Sequence, residues 1–268
     1  MKGIIFAGCS FTWGQGLYFY SDLPDVPRIG DSDFHPSLLK DSHIKFKDTL
    51  RFPRLVANHF NTFEIVKKQN GGNDEQSIEF IYNLFNDTNN QYGKFKYDNF
   101  DYLIFQTSQI VRNRFKFEYR GKSYNINAPQ KKLDLHSVND IIFFKWLSEN
   151  NIDYDQWCES FKLQIITKIK SFLTFIEENG IKTKLLLWQD DLINLVEEDT
   201  FLSEKFLILH HEDKKYNCID HLIKTNRGMT IKDDNENLIN PVHDTHPSKK
   251  CHKIIANSII KNIEKDLI

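Results

Sequence analysis

The chain has 268 residues, and its 35 Lys and Arg residues nearly balance its 37 Asp and Glu residues, for a formal net charge of -2 at pH 7. This balance argues against a nucleic-acid or anionic-membrane partner, and no apolar run approaches the roughly 20 residues that span a bilayer. Hydrophobic residues make up 40% and charged residues 27%, which is ordinary for a soluble globular protein with one α/β domain.

The hydrophobic pattern alternates short apolar runs with helical periodicity. In chain order it predicts a strand at Gly3–Ala7, a helix at Phe52–Phe60, a strand at Phe63–Val66, a helix at Glu75–Phe85, a strand at Tyr102–Phe105, a helix at Trp157–Glu178, strands at Lys184–Trp188 and Phe206–Leu209, and a helix at Pro247–Leu267. This alternation predicts a three-layer α/β/α sandwich with a five-stranded parallel sheet and right-handed crossovers. In such folds ligands bind at the carboxyl ends of the strands.

Two stretches, at about 15–50 and 113–151, lack this rhythm. They are insertions in what we predict to be a single domain over residues 1–268, and both follow a predicted strand. Long connections of this kind frequently carry function, so they could form a lid or a substrate wall.

The location and redox state of the protein are also open to prediction. The N-terminal apolar stretch is too short for the core of a signal peptide, so we expect a cytoplasmic protein. The 4 cysteines include no CxxC pair, which disfavours a zinc or thioredoxin-like site. Without an export signal we expect free thiols.

The sequence GCSFTWG, from Gly8 to Gly14, directly follows the first predicted strand. Ser10 therefore lies at the carboxyl edge of the sheet, with its hydroxyl toward the ligand side, and Gly8 permits a tight turn. The ordinary interpretation of this serine is a turn residue or a helix N-cap.

Near the other end of the chain, Asp244 and His246 lie two residues apart, just before the last predicted helix. Residues i and i+2 of an extended or turning segment can point the same way. The carboxylate can then accept a hydrogen bond from one imidazole nitrogen while the other nitrogen faces a hydroxyl, as a serine nucleophile requires. The alternative is a turn capped by Asp244 beside a surface histidine.

Taken together, GCSFTWG and the DTHPS segment before the last helix resemble the first and last sequence blocks of the SGNH/GDSL hydrolases, in the branch whose first block reads GCSFT. The resemblance covers both ends of the chain and the strand rhythm between them, and it implies the flavodoxin-like fold of that superfamily. It further implies that Ser10 is the nucleophile, His246 the general base and then acid, and Asp244 the residue that orients the imidazole.

The same resemblance implies an oxyanion hole made of the Ser10 backbone N–H, a glycine after the second strand and an asparagine after the third. Since QNGGNDEQS follows the second predicted strand, Gly71 or Gly72 matches the glycine. In the ordinary interpretation this segment is a strand-to-helix turn with Asn73 as the N-cap, and both interpretations can hold together.

The third block departs from the family pattern. DYLIFQTSQIVR has Gln106 and Ser108 where the family usually has a glycine and an asparagine. Because an oxyanion hole needs preorganised donors rather than one residue type, Ser108, Gln106 or Gln109 could still donate. We predict that Ser108 supplies or supports the third donor, with Asn73 as its rival.

Other side chains near these motifs are candidates for substrate contacts. Trp13 lies beside the nucleophile and could stack on a sugar or simply pack. Gln106, at the end of the third predicted strand, is a further candidate for a substrate contact. Arg112 follows the same strand and could hold an anionic or sugar-linked substrate, or it could be solvated. The acidic residues after the fourth strand have no metal-ligand spacing, so we predict no metal and no cofactor.

The sequence thus predicts a serine esterase that hydrolyses or transfers an acyl ester through a Ser10 acyl-enzyme. The expected partner is a small-molecule or glycan acyl ester, and the family resemblance suggests an O-acetyl group on a carbohydrate. The alternative is a non-catalytic carbohydrate-binding or assembly protein on a degenerate SGNH fold.

Overall fold

The structure, a computed structural model, describes residues 1–22, 39–67, 72–86, 95–129, 137–238 and 244–267. The strands are β1 (Gly3–Ala7), β2 (Glu64–Val66), β3 (Phe100–Gln106), β4 (Arg114–Tyr119), β5 (Lys122–Asn127), β6 (Lys182–Leu186), β7 (Leu209–His211) and β8 (Lys214–Tyr216). The helices are α1 (Ser10–Trp13), α2 (Asp41–Leu50), α3 (Phe52–His59), α4 (Asp74–Asn86), α5 (Val138–Glu149), α6 (Tyr154–Glu178), α7 (Ile193–Glu198), α8 (Thr200–Lys205), α9 (Ile219–Thr225) and α10 (Lys249–Lys265).

Four of these strands form a parallel sheet in the order β2-β1-β3-β6. This is the doubly wound order in which β1 lies inside and the chain moves outward in both directions. In register, Ala7 of β1 pairs with Phe105 of β3. The carboxyl ends of the two strands therefore lie side by side.

The fifth predicted strand is not confirmed. Phe206 makes an isolated parallel bridge with Leu185, and the Leu207 N–H donates to the Leu185 carbonyl at 2.8 Å. The chain then enters an antiparallel hairpin of β7 and β8, whose turn at Glu212 and Asp213 has positive φ at both residues. The apolar run therefore adds a single bridge to the edge of the parallel sheet, and its last residue, Leu209, pairs with Tyr216 in the hairpin instead.

Side chains of the sheet alternate between two cores. In β1, Ile5 and Ala7 belong to a core shared with α4 and α6, while Ile4 and Phe6 belong to a core shared with α3 and α10. β3 and β6 alternate in the same way. Helices thus cover both faces of the sheet, as three layers require.

The four helices predicted from periodicity are confirmed as α3, α4, α6 and α10, with ends set by local caps. The Asp153 side chain accepts the N–H groups of Asp155 and Gln156, so α6 begins earlier than the apolar stripe indicates. Ser248 accepts the Cys251 N–H at the start of α10. Such caps satisfy N–H groups that have no partner within the helix.

Both predicted insertions contain regular structure. Within 15–50, the described part includes α2, and residues 23–38 lie outside the described ranges. Within 113–151, the β4–β5 hairpin and α5 pack against α6 through an aromatic cluster that includes Phe117, Phe143 and Trp157. A lid or wall role for either insertion stays a prediction. In the described ranges, no helix is long and apolar enough to cross a membrane.

Candidate active site

The loop after β1 is built around close contacts that require small residues. A Cβ atom at Gly8 would collide with Thr12 Oγ1 and lie 2.9 Å from Gln106 Cβ. Ser10 is the first residue of α1, and Gly14 ends this short helix with φ 80°, a left-handed value that suits glycine. The tight turn therefore places Ser10 at the carboxyl edge of the sheet.

Ser10, His246 and Asp244 form one chain of hydrogen bonds. His246 Nε2 lies 3.1 Å from Ser10 Oγ, and His246 Nδ1 lies 2.6 Å from Asp244 Oδ1. The backbone N–H of His246 donates to the same Asp244 oxygen at 2.8 Å. Residues from the two ends of the sequence thus meet, as the motif analysis expected.

The segment carrying Asp244 and His246 is held by backbone pairing. The Ile231 N–H donates to the His246 carbonyl at 2.9 Å, and the Lys232 N–H donates to the Asp244 carbonyl at 2.8 Å. On the other side, a Cβ atom at Gly16 would lie 2.8 Å from Asp244 Oδ2. Gly16, at φ 85°, therefore allows the segment that follows Ser10 to approach the carboxylate closely.

The hydrogen bonds fix the protonation pattern of the site. An ionised carboxylate only accepts, so the Nδ1–H of His246 donates to Asp244 and Nε2 is left to accept the Ser10 hydroxyl proton. Burial alone would raise the pKa of Asp244, but the hydrogen bonds and charge of His246 lower it below its ordinary value. Asp244 is therefore a carboxylate at neutral pH, as an orienting residue must be.

Aromatic rings line one side of this chain. The Phe11 ring lies 5.1 Å from the His246 ring and stacks on Trp188 at 3.8 Å. Ser10 itself is only 1% exposed. The Ser10 end of the site is thus screened from bulk water, whereas the His246 and Asp244 side chains are partly exposed.

Gly72 and Asn73 form the turn before α4, whereas Gly71 lies outside the described residues. Asn73 Oδ1 accepts the Gln76 N–H at 2.9 Å, and Gln76 Oε1 accepts the Asn73 N–H at 3.1 Å. This reciprocal pair is a capping box. Asn73 is thus an N-cap, and its Nδ2 has no hydrogen-bond partner among the described residues.

Gln106 does not offer its amide to a ligand, contrary to the expectation of a substrate contact. Its Oε1 accepts from Thr12 Oγ1 at 2.6 Å, and its Nε2 donates to Cys9 Sγ at 3.1 Å and to the Thr107 carbonyl at 3.2 Å. The side chain is buried. Its contacts hold the chain on both sides of Ser10, at Cys9 and Thr12.

Ser108 follows β3 and is hydrogen-bonded to Asp74 on α4, and its role as the third donor stays a prediction. Its backbone N–H donates to Asp74 Oδ1 at 2.7 Å, and its hydroxyl makes a long 3.4 Å hydrogen bond to the Gln109 carbonyl. Asn113 Nδ2 donates to the other Asp74 oxygen at 2.8 Å, and the Asp74 N–H donates back to Asn113 Oδ1 at 3.1 Å. The N–H of Ser108 is therefore already used.

Sequence reasoning missed Asp74 and Asn113. Burial raises the pKa of Asp74 to about 6, against the opposing effect of the N–H groups that it accepts. The signal available in the sequence was an acidic residue directly after the glycine turn. Its partner lies 39 residues away, at the start of the second insertion.

Trp13 and Arg112, the other predicted substrate contacts, differ in their surroundings. Trp13 is buried, and the Lys47 ammonium lies 3.5 Å from its ring centroid, so that face cannot stack on a sugar. Arg112 is half-buried, and its Nη1 is buried without a hydrogen-bond partner among the described residues. Its charge also favours the thiolate of Cys9, although burial of that thiol raises its pKa overall.

No group of three or more His, Cys, Asp or Glu residues that could hold a metal ion occurs in the described part of the chain. Asp190 and Asp191 begin a 3₁₀ turn after β6.

Comparisons with known proteins are sparse. No model of a known protein family matches the chain, and no curated protein matches it. A solved structure, a carbohydrate esterase family 2 enzyme with a carbohydrate-binding domain from Corynascus thermopiles (Myceliophthora fergusii), has 13% identity and a TM-score of 0.47. That comparison covers 99% of this chain and 66% of the other, just under two thirds of its length. A likeness at this level does not assign an activity to this chain.

Proposed function

We propose that the protein is a serine esterase of SGNH type that cleaves or transfers an acyl ester through a Ser10 acyl-enzyme. The observation that carries this proposal is the unbroken chain from Asp244 Oδ1 through both nitrogens of His246 to Ser10 Oγ, with distances of 2.6 and 3.1 Å. These distances are those expected for a nucleophile, its base and an orienting group.

The reaction follows from these roles. Ser10 Oγ attacks the ester carbonyl carbon while His246 Nε2 takes the hydroxyl proton. The C=O π bond opens to give a tetrahedral intermediate, whose collapse breaks the bond to the alcohol oxygen as the Nε2 proton passes to that oxygen. Water, or an acceptor hydroxyl in a transfer reaction, then attacks the acyl-enzyme with His246 again as the base, and Ser10 recovers its proton. Asp244 stabilises the imidazolium in both halves of the reaction.

The oxyanion of the intermediate needs donors around it. Ser10 heads α1, so its backbone N–H has no acceptor within that helix, and the Gly72 N–H lies in the turn before α4. For the third donor we favour Asn73, whose Nδ2 has no hydrogen-bond partner among the described residues. The Ser108 side chain already hydrogen-bonds to Asp74 and to the Gln109 carbonyl. We therefore assign the third donor to Asn73.

Arg112 is the group that we assign to the substrate. A buried guanidinium nitrogen without a partner costs folding free energy unless a ligand completes its hydrogen bonding. An ester whose alcohol or carrier bears an anionic group would do so, in keeping with an acyl group on an acidic sugar. Arg112→Ala should raise KM for such esters and leave hydrolysis of p-nitrophenyl acetate unchanged.

The test of the activity is covalent labelling by a fluorophosphonate probe, read by intact mass and peptide mapping. One probe per chain on Ser10 is expected for the wild-type protein and none for Ser10→Ala. Ser258→Ala is a matched control, since Ser258 is equally buried but lies on α10. Absence of labelling and of p-nitrophenyl acetate turnover in the folded wild-type protein would instead favour the non-catalytic binding protein.

A further inference from the structure

Lys67, the first residue after β2, is almost completely buried. It is 2% exposed, and its backbone N–H donates to the Phe6 carbonyl at 3.2 Å, which continues the pairing with β1. Its Nζ donates to Ser77 Oγ on α4 at 3.2 Å and has no other hydrogen-bond partner among the described residues. An ammonium has three donors, so the described residues provide an acceptor for only one of them.

The ammonium lies directly against Gly72. A Cβ atom at Gly72 would collide with Lys67 Nζ, so the cation occupies the space that any other side chain at that position would need. Glycine at position 72 therefore lets the ammonium approach the backbone of the turn.

The negative groups around Lys67 do not neutralise it by contact. Asp74 and Glu79 on α4 are the carboxylates whose charges act on it at neutral pH. Asp74 directs its two oxygens to Ser108 and Asn113, and no ion pair of Lys67 within 4 Å occurs among the described residues. Burial lowers the pKa of Lys67 to about 8, so the ammonium is still mainly protonated at neutral pH.

We propose that the Lys67 ammonium stabilises the oxyanion of the tetrahedral intermediate through the Gly72 turn, and so supplies positive charge at a site whose third block lacks the usual asparagine. This inference rests on the proposed esterase activity. Lys67 acts here as a positioning residue, because it contacts the turn that donates to the oxyanion rather than the substrate. A fixed positive charge near a developing negative charge in a dry site lowers the barrier without reorganisation.

The experiment replaces Lys67 by methionine, which keeps most of the side-chain length and removes the charge. We expect kcat for p-nitrophenyl acetate to fall about 10- to 100-fold with KM nearly unchanged, which is less than the loss of a direct oxyanion donor. Lys184→Met is the matched control. Lys184 is also buried but pairs with Asp266 at 2.7 Å on the opposite face of the sheet, so its loss should leave kcat unchanged.

The pH profile separates this role from a merely structural one. As pH rises through about 8, Lys67 loses its proton, so kcat of the wild-type protein should decline on that limb. The Lys67→Met protein should have a lower kcat and no such decline. A variant with a lower melting temperature but the wild-type kcat and the wild-type alkaline limb overturns the inference.

Gly72→Ala provides a second route, since its methyl group must displace the ammonium without removing it. We expect a lower kcat, and we expect Lys67→Met to add little to that loss in the double variant. If Lys67→Met does not fold, full kcat in a folded Gly72→Ala overturns the inference. Equal rates of fluorophosphonate labelling of wild type and Lys67→Met refute the role of Lys67 alone, whereas an unlabelled wild type refutes the esterase and this inference together.

Discussion

Two polar clusters lie near the carboxyl edge of the sheet, one formed by Ser10, Asp244 and His246 and the other by Asp74, Ser108 and Asn113. In the first, the hydrogen bonds join Asp244 to His246 and His246 to Ser10 in a linear series that ends at the Ser10 hydroxyl. In the second, the bonds close on themselves, because Asp74 accepts from both neighbours and donates back to Asn113. The first arrangement leaves a group able to react, and the second ties α4 to the end of β3.

The largest expected effect is the loss of the reactive end of the first cluster. Ser10→Ala should lower kcat by about 10⁶-fold, since members of a triad act as a unit. Only the rate that oxyanion donors and substrate binding provide should remain. The free energy of unfolding should change by less than about 1 kcal/mol, because one hydroxyl contributes little to the core. Steady-state kinetics and urea unfolding measure the two quantities, and a variant that keeps its turnover contradicts the assignment of the nucleophile.

Asp244→Asn should have the next largest effect, about 10⁴-fold on kcat, because the amide no longer holds Nδ1–H of His246 and favours the wrong tautomer. The fold should be retained, since the backbone pairing with Ile231 and Lys232 is untouched. Circular dichroism with kinetics on the same sample checks both statements. A turnover within tenfold of the wild type would show that Asp244 does not orient the base.

Asn73→Asp sharpens the comparison at the boundary between the clusters. Aspartate keeps the oxygen that caps α4 but has no amide donor, so the helix should remain capped while kcat falls about 100- to 1,000-fold. Ser108→Ala should lower kcat far less. The reverse ranking of the two variants would return the third donor to Ser108, and equal, full activity would leave an oxyanion hole made of backbone N–H groups.

Asp74→Asn tests the second cluster and should affect stability more than the reaction. Folding raises the pKa of this carboxyl to about 6. Its stabilising contribution is therefore complete below the ordinary pKa and is lost as pH rises through about 6. The unfolding free energy of the wild type relative to Asp74→Asn should fall by at most roughly 3 kcal/mol between pH 4 and 7. Urea unfolding at both pH values measures it, and a constant difference contradicts a buried titrating carboxyl.

The parts of the molecule that sequence could predict are those fixed by local pattern. Ser10 directly follows a strand, and the Asp244–His246 pair directly precedes a helix. In a parallel α/β fold both positions lie at the carboxyl edge of the sheet. The Asp74–Asn113 pairing depends on contacts over 39 residues, for which no local pattern exists. Likewise, Trp13 is buried by Lys47 of the first insertion, which periodicity cannot place. The run at Phe206–Leu209 is apolar enough for a strand, but its length alone cannot reveal that Leu209 belongs to an antiparallel hairpin.

The burial of Cys9 should make its thiol resistant to oxidants and alkylating reagents. Its thiol is buried next to Ser10 in the chain and accepts a hydrogen bond from Gln106 Nε2 at 3.1 Å. Burial raises its pKa above the ordinary value. Oxidants and alkylating reagents attack thiolates that solvent can reach, and Cys9 is neither ionised at neutral pH nor accessible. Hydrogen peroxide or iodoacetamide should therefore spare the residue next to Ser10 and leave the folded protein competent to react.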